Sequence, residues 1–300
     1  MPELPEVTTT VKGLRKVLPN LSIKDVWTDY YIGTKYKQKD TLKNKKYFKK
    51  FKKEIIGSKF KDVERRGKYI LVHLNKNKTI LVHMKMTGHF LYGKYIFKNK
   101  KWQSDEKNLK DPFNGHLRFV ISLSNGKNLA FSDMRKFGTV RLFETDFVYK
   151  SIHLKELGVD PLNNLSFKKL KSQLLKKPTL KIKTALMDQS LIAGIGNIYS
   201  DEILWESCIH PEKKVLSISD NQYKRILNSM IKILKKSISM GGDSMSDYRN
   251  INGEKGGFQN SHKVYRKTKE ICSKRGCGGI IKRIVIGGRS THFCDKHQKM

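Results

Sequence analysis

The chain has 300 residues, of which 38% are hydrophobic, and a formal net charge of +35 at pH 7. Its length accommodates two ordinary domains, and its hydrophobic content excludes wholesale disorder. Apolar runs stay well short of the roughly 18–20 residues that a membrane-spanning helix needs. Acidic residues stand at the start of the chain where a signal peptide would carry cations, so we expect a soluble intracellular protein without a membrane partner.

The positive charge comes from 62 lysine and arginine residues against 27 acidic residues. A chain of this kind is attracted to a polyanion, and nucleic acid is the usual one. The alternative is that a lysine-rich composition reflects the base composition of the genome, with solvated side chains that touch nothing. The lysine run over residues 35–53 has this solvated character. Charge therefore favours a nucleic-acid partner without identifying any chemistry.

The first half of the chain is predicted to be β-rich and entered by a helix. Over residues 3–18, Val7, Val11, Leu14 and Leu18 recur at helical spacing. Strand-like runs then cover residues 69–74, 79–84, 117–123 and 128–131, with hairpin turns predicted at 75–78 and 124–127. The polar region 93–112 predicts a long surface loop.

Helical patterns dominate the second half, from residue 166 to residue 240. A linker is predicted at 160–164, and the Gly-, Ser- and Asp-rich residues 241–257 predict a mobile loop. Three of the four cysteines lie close to the C-terminus. Clustered cysteines in an intracellular chain favour a metal site over a disulfide, whereas Cys208 is predicted in a helical core.

The N-terminus carries residues suited to amine chemistry. Removal of Met1 would expose Pro2, and an unprotonated secondary amine attacks a carbonyl carbon to form an iminium ion, which is an electron sink. Glu3 and Glu6 lie within one helical turn and have the chemistry to transfer protons. The alternative is an ordinary helix start, since Pro and Glu both suit the first turn.

The order Pro2-Glu3-Leu4-Pro5-Glu6-Val7 resembles the opening of the formamidopyrimidine-DNA glycosylases. The related endonuclease VIII type typically carries Gly at the position of Leu4. The resemblance implies that Pro2 is the nucleophile, that Glu3 is the acid–base residue and that Glu6 supports them.

Three further segments resemble the same family, in the same order along the chain: RRGKY at 65–69, HMKMTG at 83–88 and DMRKFG at 133–138. The resemblance implies that Lys68 is a catalytic lysine and that His83 contacts a phosphate. It also implies that Met86, Arg135 and Phe137 enter the duplex, where apolar side chains fill the space of a flipped base and an arginine pairs with the orphaned partner. Taken alone, Met86 and Phe137 would be read as core residues.

The segment LMDQSLIAGIGNIY at 186–199 resembles the helix–two-turn–helix of this family. We expect one helix to end at Gly194 and another to begin after Gly196, with open backbone N–H groups that accept a phosphate. The resemblance implies DNA contacts from Asn197 and Lys183. Residues 241–259 resemble the family's flexible loop over the damaged base.

The C-terminal cysteines form two short-spaced pairs with a histidine, and thiolate and imidazole are zinc ligands. The predicted ligands of one structural zinc ion are Cys272, Cys277, Cys294 and His297. The family usually has four cysteines with two residues inside each pair, so the wider first pair and His297 depart from its pattern. A decayed site with free thiols is the alternative, and His292 is a poorer ligand candidate than His297. Arg289 matches the family's phosphate-gripping arginine at the finger tip, and we assign it to the catalytic set.

The resemblance spans nearly the whole chain and implies an α+β multidomain protein. We predict a catalytic β-sandwich domain entered by a helix at 2–145, a helix–two-turn–helix DNA-binding domain at 146–262 and a zinc-finger hairpin at 263–300. The implied protein is a monomeric base-excision repair enzyme in the bacterial cytoplasm, associated with the nucleoid.

The implied activity is that of a glycosylase and abasic-site lyase, acting on double-stranded DNA with oxidised bases or abasic sites. It would remove 8-oxoguanine and formamidopyrimidines, with β,δ-elimination through a Schiff base on Pro2. Two alternatives stay open. One is an endonuclease VIII-type enzyme for oxidised pyrimidines, and the other is a non-catalytic DNA-binding protein on the same scaffold.

Overall fold

The computed structural model describes residues 1–33 and 38–300. Within these residues the chain forms two compact units, one of Met1–Lys155 with Met240–Gly257 and one of Glu156–Ser239 with Phe258–Met300. The first is a β-sandwich that begins with a helix, and the second is helical and ends in a hairpin, which agrees with the predicted fold class. The domain limits after residues 145 and 262 stay a prediction. Residues 240–257 group with the first unit because Ile251 packs into its core.

The first unit begins with helix α1 (Leu4–Val17), as the apolar spacing predicted. The remaining helices and strands of this unit are β1 (Ile23–Thr28), α2 (Lys45–Ile55), β2 (Phe60–Arg66), β3 (Tyr69–Leu74), β4 (Lys78–His83), β5 (His89–Gly93), β6 (Ile96–Lys98), β7 (Lys101–Gln103), β8 (Leu117–Leu123), β9 (Asn128–Ser132), β10 (Thr139–Glu144) and α3 (Thr145–Val148). Strands β3, β4, β8 and β9 match the predicted runs to within one residue at each end. The charged strands β1, β2 and β10 gave no clear pattern and were missed.

Two antiparallel four-stranded sheets make up the sandwich in the part of the chain that the structure describes. Their strand orders are β1-β8-β9-β5 and β10-β4-β3-β2. Phe119 and Phe131 from the first sheet and Val72 and Val82 from the second lie in one buried core, which the apolar face of α1 also joins. Burial of each such side chain contributes about 1.5–3 kcal/mol, so this core is the main source of the unit's stability.

Helix α2 lies within the stretch that the sequence analysis interpreted as a solvated lysine run. Asn44 begins it by accepting a hydrogen bond from the backbone N–H of Tyr47 at 3.0 Å. Phe51 and Ile55 are buried in the sandwich core, whereas most of the helix lysines are exposed. The interpretation as a solvated run was therefore wrong for Phe51 and Ile55. These residues are four apart and so share one face of the helix, which is buried. Residues 35–37 of the run lie outside the described residues.

The polar region after β5 is more regular than the predicted surface loop. It contains the β6–β7 hairpin and short 3-10 turns at Lys107–Lys110 and Pro112–Gly115. The rings of Phe97 and Trp102 pack against Trp27 of β1, with centroids 5.3–6.0 Å apart. These aromatic contacts give the hairpin a small apolar support that the polar composition conceals.

The second unit consists of short helices, one long helix and a C-terminal hairpin. Its elements are α4 (Phe167–Leu174), α5 (Ile182–Met187), α6 (Asn197–Glu206), α7 (Asp220–Ser239), β11 (Ile281–Ile286) and β12 (Arg289–Cys294). Ile226, Met230 and Leu234 form the buried stripe of α7. Among the helices that the structure describes, none combines the length and the apolar character that crossing a membrane would require.

A buried carboxylate fixes the chain that leads from the helices to the hairpin. Glu202 of α6 accepts hydrogen bonds from the backbone N–H groups of Lys263, Val264 and Tyr265 at 2.9–3.1 Å. Burial raises the pKa of Glu202, although these N–H donors oppose that shift. The donors satisfy the oxygens of a group that would otherwise be costly to bury.

Candidate nucleic-acid site

Three segments of the first unit leave one sheet at the same end. Tyr69 of β3, His83 of β4 and Thr139 of β10 lie side by side in register across this sheet. The β2–β3 turn precedes Tyr69, residues 84–88 follow His83, and residues 133–138 precede Thr139. The predicted site residues that the sheet thereby brings to this end are Lys68, His83, Met86, Arg135 and Phe137.

Two of these segments also connect the two sheets. Residues 84–88 lead from β4 to β5, and residues 133–138 lead from β9 to β10. In the other sheet, His89 at the start of β5 pairs with Ser132 at the end of β9. Both crossovers therefore lie next to one another, and the antiparallel register keeps them together.

Helix α1 directs the N-terminus toward the same end. Phe60 at the start of β2 exchanges backbone hydrogen bonds with Asn20 and Leu21, just after the helix, at 3.2 and 3.0 Å. Arg15 of the last helical turn pairs with Asp62 of β2 at 2.9 Å. Since α1 packs along β2 and its last turn lies at the start of that strand, its first turn is directed toward the β2–β3 turn.

The first turn of α1 contains two buried carboxylates. Glu3 and Glu6 are 3% and 2% exposed, and Pro2 is buried beside them. The Glu6 carboxylate accepts hydrogen bonds from the backbone N–H of Glu3 at 2.7 Å and of Asp243 at 2.8 Å. The helix start is therefore tied to residues 240–257, and Glu6 holds the backbone of Glu3 in place.

Lys68 stands in a two-residue hairpin turn between β2 and β3. Gly67, the first turn residue, has φ of +56°, which suits glycine and a type II′ turn. Lys68 is only 6% exposed. A buried lysine at a turn is not the ordinary solvated cation that the sequence also allowed, because burying an ammonium group requires polar partners.

His83 is neutral in this structure. Its Nδ1 accepts a hydrogen bond from the backbone N–H of Lys85 at 2.9 Å, so the ring carries its proton on Nε2. Burial lowers the pKa of His83 well below its usual value, and the nearby Lys85 and Lys68 lower it further. A contact from His83 to a phosphate would therefore be a neutral hydrogen bond.

The predicted wedge residues differ in exposure: Met86 and Arg135 are exposed, whereas Phe137 is half-buried. The exposed fraction of Met86 is 36%. The guanidinium of Arg135 lies over the ring of Phe137, 4.4 Å from its centre. The alternative that Met86 is a core residue is not supported, because more than a third of its surface is exposed to water.

Asp133, which no sequence pattern singled out, holds both crossovers in place. This buried carboxylate accepts hydrogen bonds from Tyr30 Oη at 2.7 Å, from Thr87 Oγ1 at 2.5 Å and from the backbone N–H of Gly138 at 2.7 Å. Thr87 adjoins Met86, and Gly138 adjoins Phe137. Its place as the first residue of the 133–138 segment was the available signal, but two of its three partners, Tyr30 and Thr87, are distant in sequence.

The turn between α5 and α6 differs in detail from the prediction. Helix α5 ends at Met187 rather than at Gly194, and residues 188–196 form irregular turns. The side chain of Gln189, which the sequence analysis missed, donates to the carbonyls of Met187 and Ile195 at 2.8 and 2.7 Å. Its Oε1 accepts from the N–H of Gly194 at 2.9 Å, so that N–H is not open to a phosphate.

Asn197 and Lys183 occupy different environments in this turn. Asn197 begins α6, and its Oδ1 is buried without a hydrogen-bond partner among the described residues. Lys183 is completely buried and its ammonium pairs with Asp201. Asp201 in turn accepts from the backbone N–H of His292 at 3.0 Å, and its Oδ2 lies 3.1 Å from His292 Nδ1. A DNA contact from Lys183 stays a prediction, and the structure gives its charge a partner inside the protein.

Four side chains at the base of the C-terminal hairpin converge on one point. The ligand atoms of Cys272, Cys277, Cys294 and His297 all lie within 4.8 Å of one another. His297 Nδ1 is 3.4 Å from Cys277 Sγ and 3.5 Å from Cys272 Sγ, and Cys277 Sγ is 3.5 Å from Cys294 Sγ. A tetrahedral zinc ion with usual bond lengths separates its ligand atoms by roughly 3.5–3.8 Å. The four residues therefore fit one zinc ion despite the unusual spacing.

Helix α6 supports this ligand set from behind. His297 Nε2 lies 3.2 Å from the carbonyl oxygen of Trp205, which fixes the ring so that Nδ1 faces the thiols. The indole N–H of Trp205 donates to Cys272 Sγ at 3.3 Å. Such contacts orient metal ligands in proteins. His292, the weaker ligand candidate, points instead at Asp201.

Arg289 and Cys208 complete the predicted residues of the second unit. Arg289 is exposed and begins β12 directly after the Gly287–Gly288 turn, so it lies at the tip of the hairpin as the sequence predicted. Cys208 is only half-buried, at φ of +58° after α6, and lies outside the metal cluster. Its expected place in the core was wrong because α6 ends at Glu206.

Family models match three parts of the chain. The formamidopyrimidine-DNA glycosylase N-terminal domain matches residues 1–140, and the H2TH domain of that family matches residues 157–249. The zinc finger found in FPG and IleRS matches residues 274–296. The helix–two-turn–helix and the zinc finger with one structural zinc are thereby confirmed.

Curated relatives and solved structures match over the full length. The formamidopyrimidine-DNA glycosylases of Streptococcus mutans and Brevibacillus brevis are each 36% identical, with 100% of this chain and at least 99% of theirs covered. A Lactococcus lactis FPG mutant in complex with DNA containing Fapy-dG has a TM-score of 0.83 at 33% identity, with both chains completely covered. MutM in complex with DNA containing carbocyclic 8-oxo-G has a TM-score of 0.82 at 33% identity, with the same coverage.

The zinc ligands can be tested by exchanging His297. We expect about one zinc ion per wild-type chain, loss of the ion in His297→Ala and its retention in His297→Cys, because a thiolate restores a tetrahedral donor set. Loss of the ion should displace Arg289 and weaken binding to undamaged duplex roughly 10–100-fold, the value of one charge-assisted hydrogen bond. Elemental analysis and a binding titration measure both effects. Full zinc content in His297→Ala would show that another residue completes the site.

Proposed function

Because the chain belongs to the formamidopyrimidine-DNA glycosylase family, we propose that it excises oxidised purines from duplex DNA and cleaves the resulting abasic site. The observation that carries this proposal is the arrangement at one end of the sandwich. The buried Lys68, the exposed Met86 and Arg135 and the half-buried Phe137 lie there, and α1 directs the Pro2 end of the chain toward them.

The first half of the proposed reaction replaces the base by the protein amine. With Met1 removed, the nitrogen of Pro2 attacks C1′ of the damaged nucleotide. Glu3 supplies the proton for the ring oxygen as the bond from C1′ to that oxygen breaks, with assistance from Lys68. The base then leaves with the electrons of the glycosidic bond and takes up the proton that the nitrogen of Pro2 loses, so that an iminium ion remains between Pro2 and C1′.

The second half cleaves the strand. The iminium ion accepts electrons, so a proton is lost from C2′ and the bond to the 3′ phosphate breaks. A second elimination expels the 5′ phosphate, and water releases the sugar fragment from Pro2. Neither elimination needs a redox partner. The four zinc ligands lie in the second unit, and we assign the ion a structural role only.

The proposed substrate class rests on the matched structures and on Leu4. The matched structures hold DNA with Fapy-dG or with carbocyclic 8-oxo-G, both derived from purines, and a further Lactococcus lactis structure holds abasic-site DNA. Wedge residues would fill the space of the flipped base, and Arg135 would pair with the orphaned cytosine. We propose that the protein acts as a monomer in the bacterial cytoplasm, on the nucleoid.

Two alternatives make different predictions. An endonuclease VIII-type enzyme would prefer oxidised pyrimidines, but that type typically carries Gly in place of Leu4. A non-catalytic DNA-binding protein would keep the scaffold and the phosphate contacts without the amine. Retention of Met1 would favour this second alternative, since the nitrogen of Pro2 would then be an amide.

Reductive trapping tests the nucleophile. Borohydride should link the protein covalently to a duplex with an abasic site, because an iminium ion is reducible. Pro2→Gly and a form that retains Met1 should both reduce trapping sharply, and N-terminal mass analysis verifies each preparation. Undiminished trapping by the form with Met1 would move the attacking amine elsewhere, with Lys68 as the next candidate.

Exchange of Glu3 separates the two activities. Glu3→Gln should lower base excision roughly 10²–10⁴-fold, because a general acid–base group is lost. Cleavage of a preformed abasic site should fall less, since the base has already gone. Glu270→Gln, an exposed carboxylate of the second unit, is the control and should change neither rate. Normal excision by Glu3→Gln would assign the acid–base role to Glu6 or Lys68.

Competition between lesions tests the substrate class. Duplexes with 8-oxoguanine opposite cytosine and duplexes with thymine glycol are mixed, and single-turnover excision of each is followed. We expect 8-oxoguanine to be removed first, since the matched structures hold purine lesions. Clear preference for thymine glycol would place the protein with the endonuclease VIII type.

A further inference from the structure

Residues 240–257 contain a buried arginine although they form neither helix nor strand. Arg249 is 1% exposed, and its guanidinium lies 4.8 Å from the ring centre of Phe113. Its Nε and Nη2 donate to the two carboxylate oxygens of Asp111 at 3.0 and 3.3 Å. Its Nη1 donates to the carbonyls of Ser246 and Tyr248 at 3.0 and 2.9 Å.

Burial of this guanidinium costs free energy, and the contacts that compensate for it hold the side chain rigidly. A guanidinium loses its hydration on burial, so it must be compensated by charge and by hydrogen bonds. The bidentate contact to Asp111 supplies the charge, and the planar fork fixes the orientation of both groups. Asp111 is itself held, because its Oδ1 accepts from the backbone N–H of Phe113 at 2.9 Å.

The same stretch of chain has a second anchor at the start of α1. Asp243 donates its backbone N–H to the Glu6 carboxylate at 2.8 Å, and Tyr248 donates its hydroxyl to the Glu6 carbonyl at 3.0 Å. Between these anchors, residues 245–247 are the part that is not buried, and Ser246 is exposed. The exposed residues are therefore held on one side by Glu6 and on the other by Arg249.

We infer that Arg249 and Asp111 are a positioning pair that holds residues 245–247 at a fixed place relative to the Glu3–Glu6 turn, so that they meet the damaged base. The inference rests on the proposed function, in which residues 241–259 cover that base. The pair does not touch the reacting atoms. It connects residues 245–247 to the 3-10 turn at Pro112–Gly115, whose residues are far from the nucleophile in the sequence.

The distinguishing consequence is a split between the two activities. Excision needs the segment to contact the base, whereas cleavage of a preformed abasic site involves no base. Asp111→Asn removes one acceptor but keeps the shape and the oxygen that binds Phe113, and Arg249→Lys keeps the charge but loses the fork. Both should lower the single-turnover rate of excision roughly 10–100-fold, as expected when a contact is misplaced by about 1 Å. Cleavage of abasic sites and binding to undamaged duplex should stay at the wild-type level.

A matched control comes from the same unit. Arg15 and Asp62 form a bidentate pair with both distances at 2.9 Å, but both side chains are about half exposed. Asp62→Asn should leave both activities unchanged, because a solvated pair contributes little. Hydrogen exchange provides a readout besides activity: the amide of Asp243 should exchange faster in Asp111→Asn and Arg249→Lys than in Asp62→Asn.

The outcomes separate this inference from the proposed function. Selective loss of excision, with faster exchange at Asp243, supports the pair. Equal loss of both activities would overturn it, because the pair would then merely stabilise the unit, and so would unchanged excision. Wild-type protein is tested first on 8-oxoguanine and thymine glycol duplexes, and failure to excise either base would overturn the proposed function together with the inference.

Discussion

The hydrogen bonds that the Glu6 carboxylate accepts determine how the start of α1 and residues 240–257 are placed in the first unit. This carboxylate accepts hydrogen bonds from the backbone N–H groups of Glu3 and Asp243, which belong to opposite ends of the unit's sequence. A carboxylate in a buried place is tolerated only when donors occupy its oxygens, so both chain segments must stay where these donors meet it. The position of Pro2 relative to residues 240–257 follows from this requirement.

Buried charged side chains hold the connecting segments of this protein in place, whereas apolar side chains hold its two sheets together. Asp133 joins the two sheet crossovers, Asp201 joins α5 and α6 to the hairpin, and Arg249 ties residues 240–257 to Asp111. In a medium of low dielectric constant such hydrogen bonds are strong, and a misplaced group is costly. These connections carry the proposed DNA contacts, and reactions on a flipped base require contacts placed to within a fraction of an ångström.

The C-terminal hairpin illustrates how a small element acquires a defined position. Two strands alone are marginally stable in water, and β11 and β12 have little core of their own. The zinc ligands close the base of the hairpin, Trp205 of α6 orients two of those ligands, and Asp201 of the same helix binds His292 in β12. Arg289 at the tip is thus positioned by contacts at the other end of the hairpin.

The sequence by itself determined the elements whose signals are local: the periodicity of α1, the strands β3 and β8, and the spacing of the zinc ligands with His297 in place of a cysteine. The order of the motifs also indicated the family, because residues that do chemistry stand in short runs. Only the tertiary structure decided that Lys183 is buried against Asp201, that α2 packs into the core, and that Arg249 binds Asp111. The reason is physical: the burial of a charged side chain depends on partners supplied by distant parts of the chain, and no local pattern contains them.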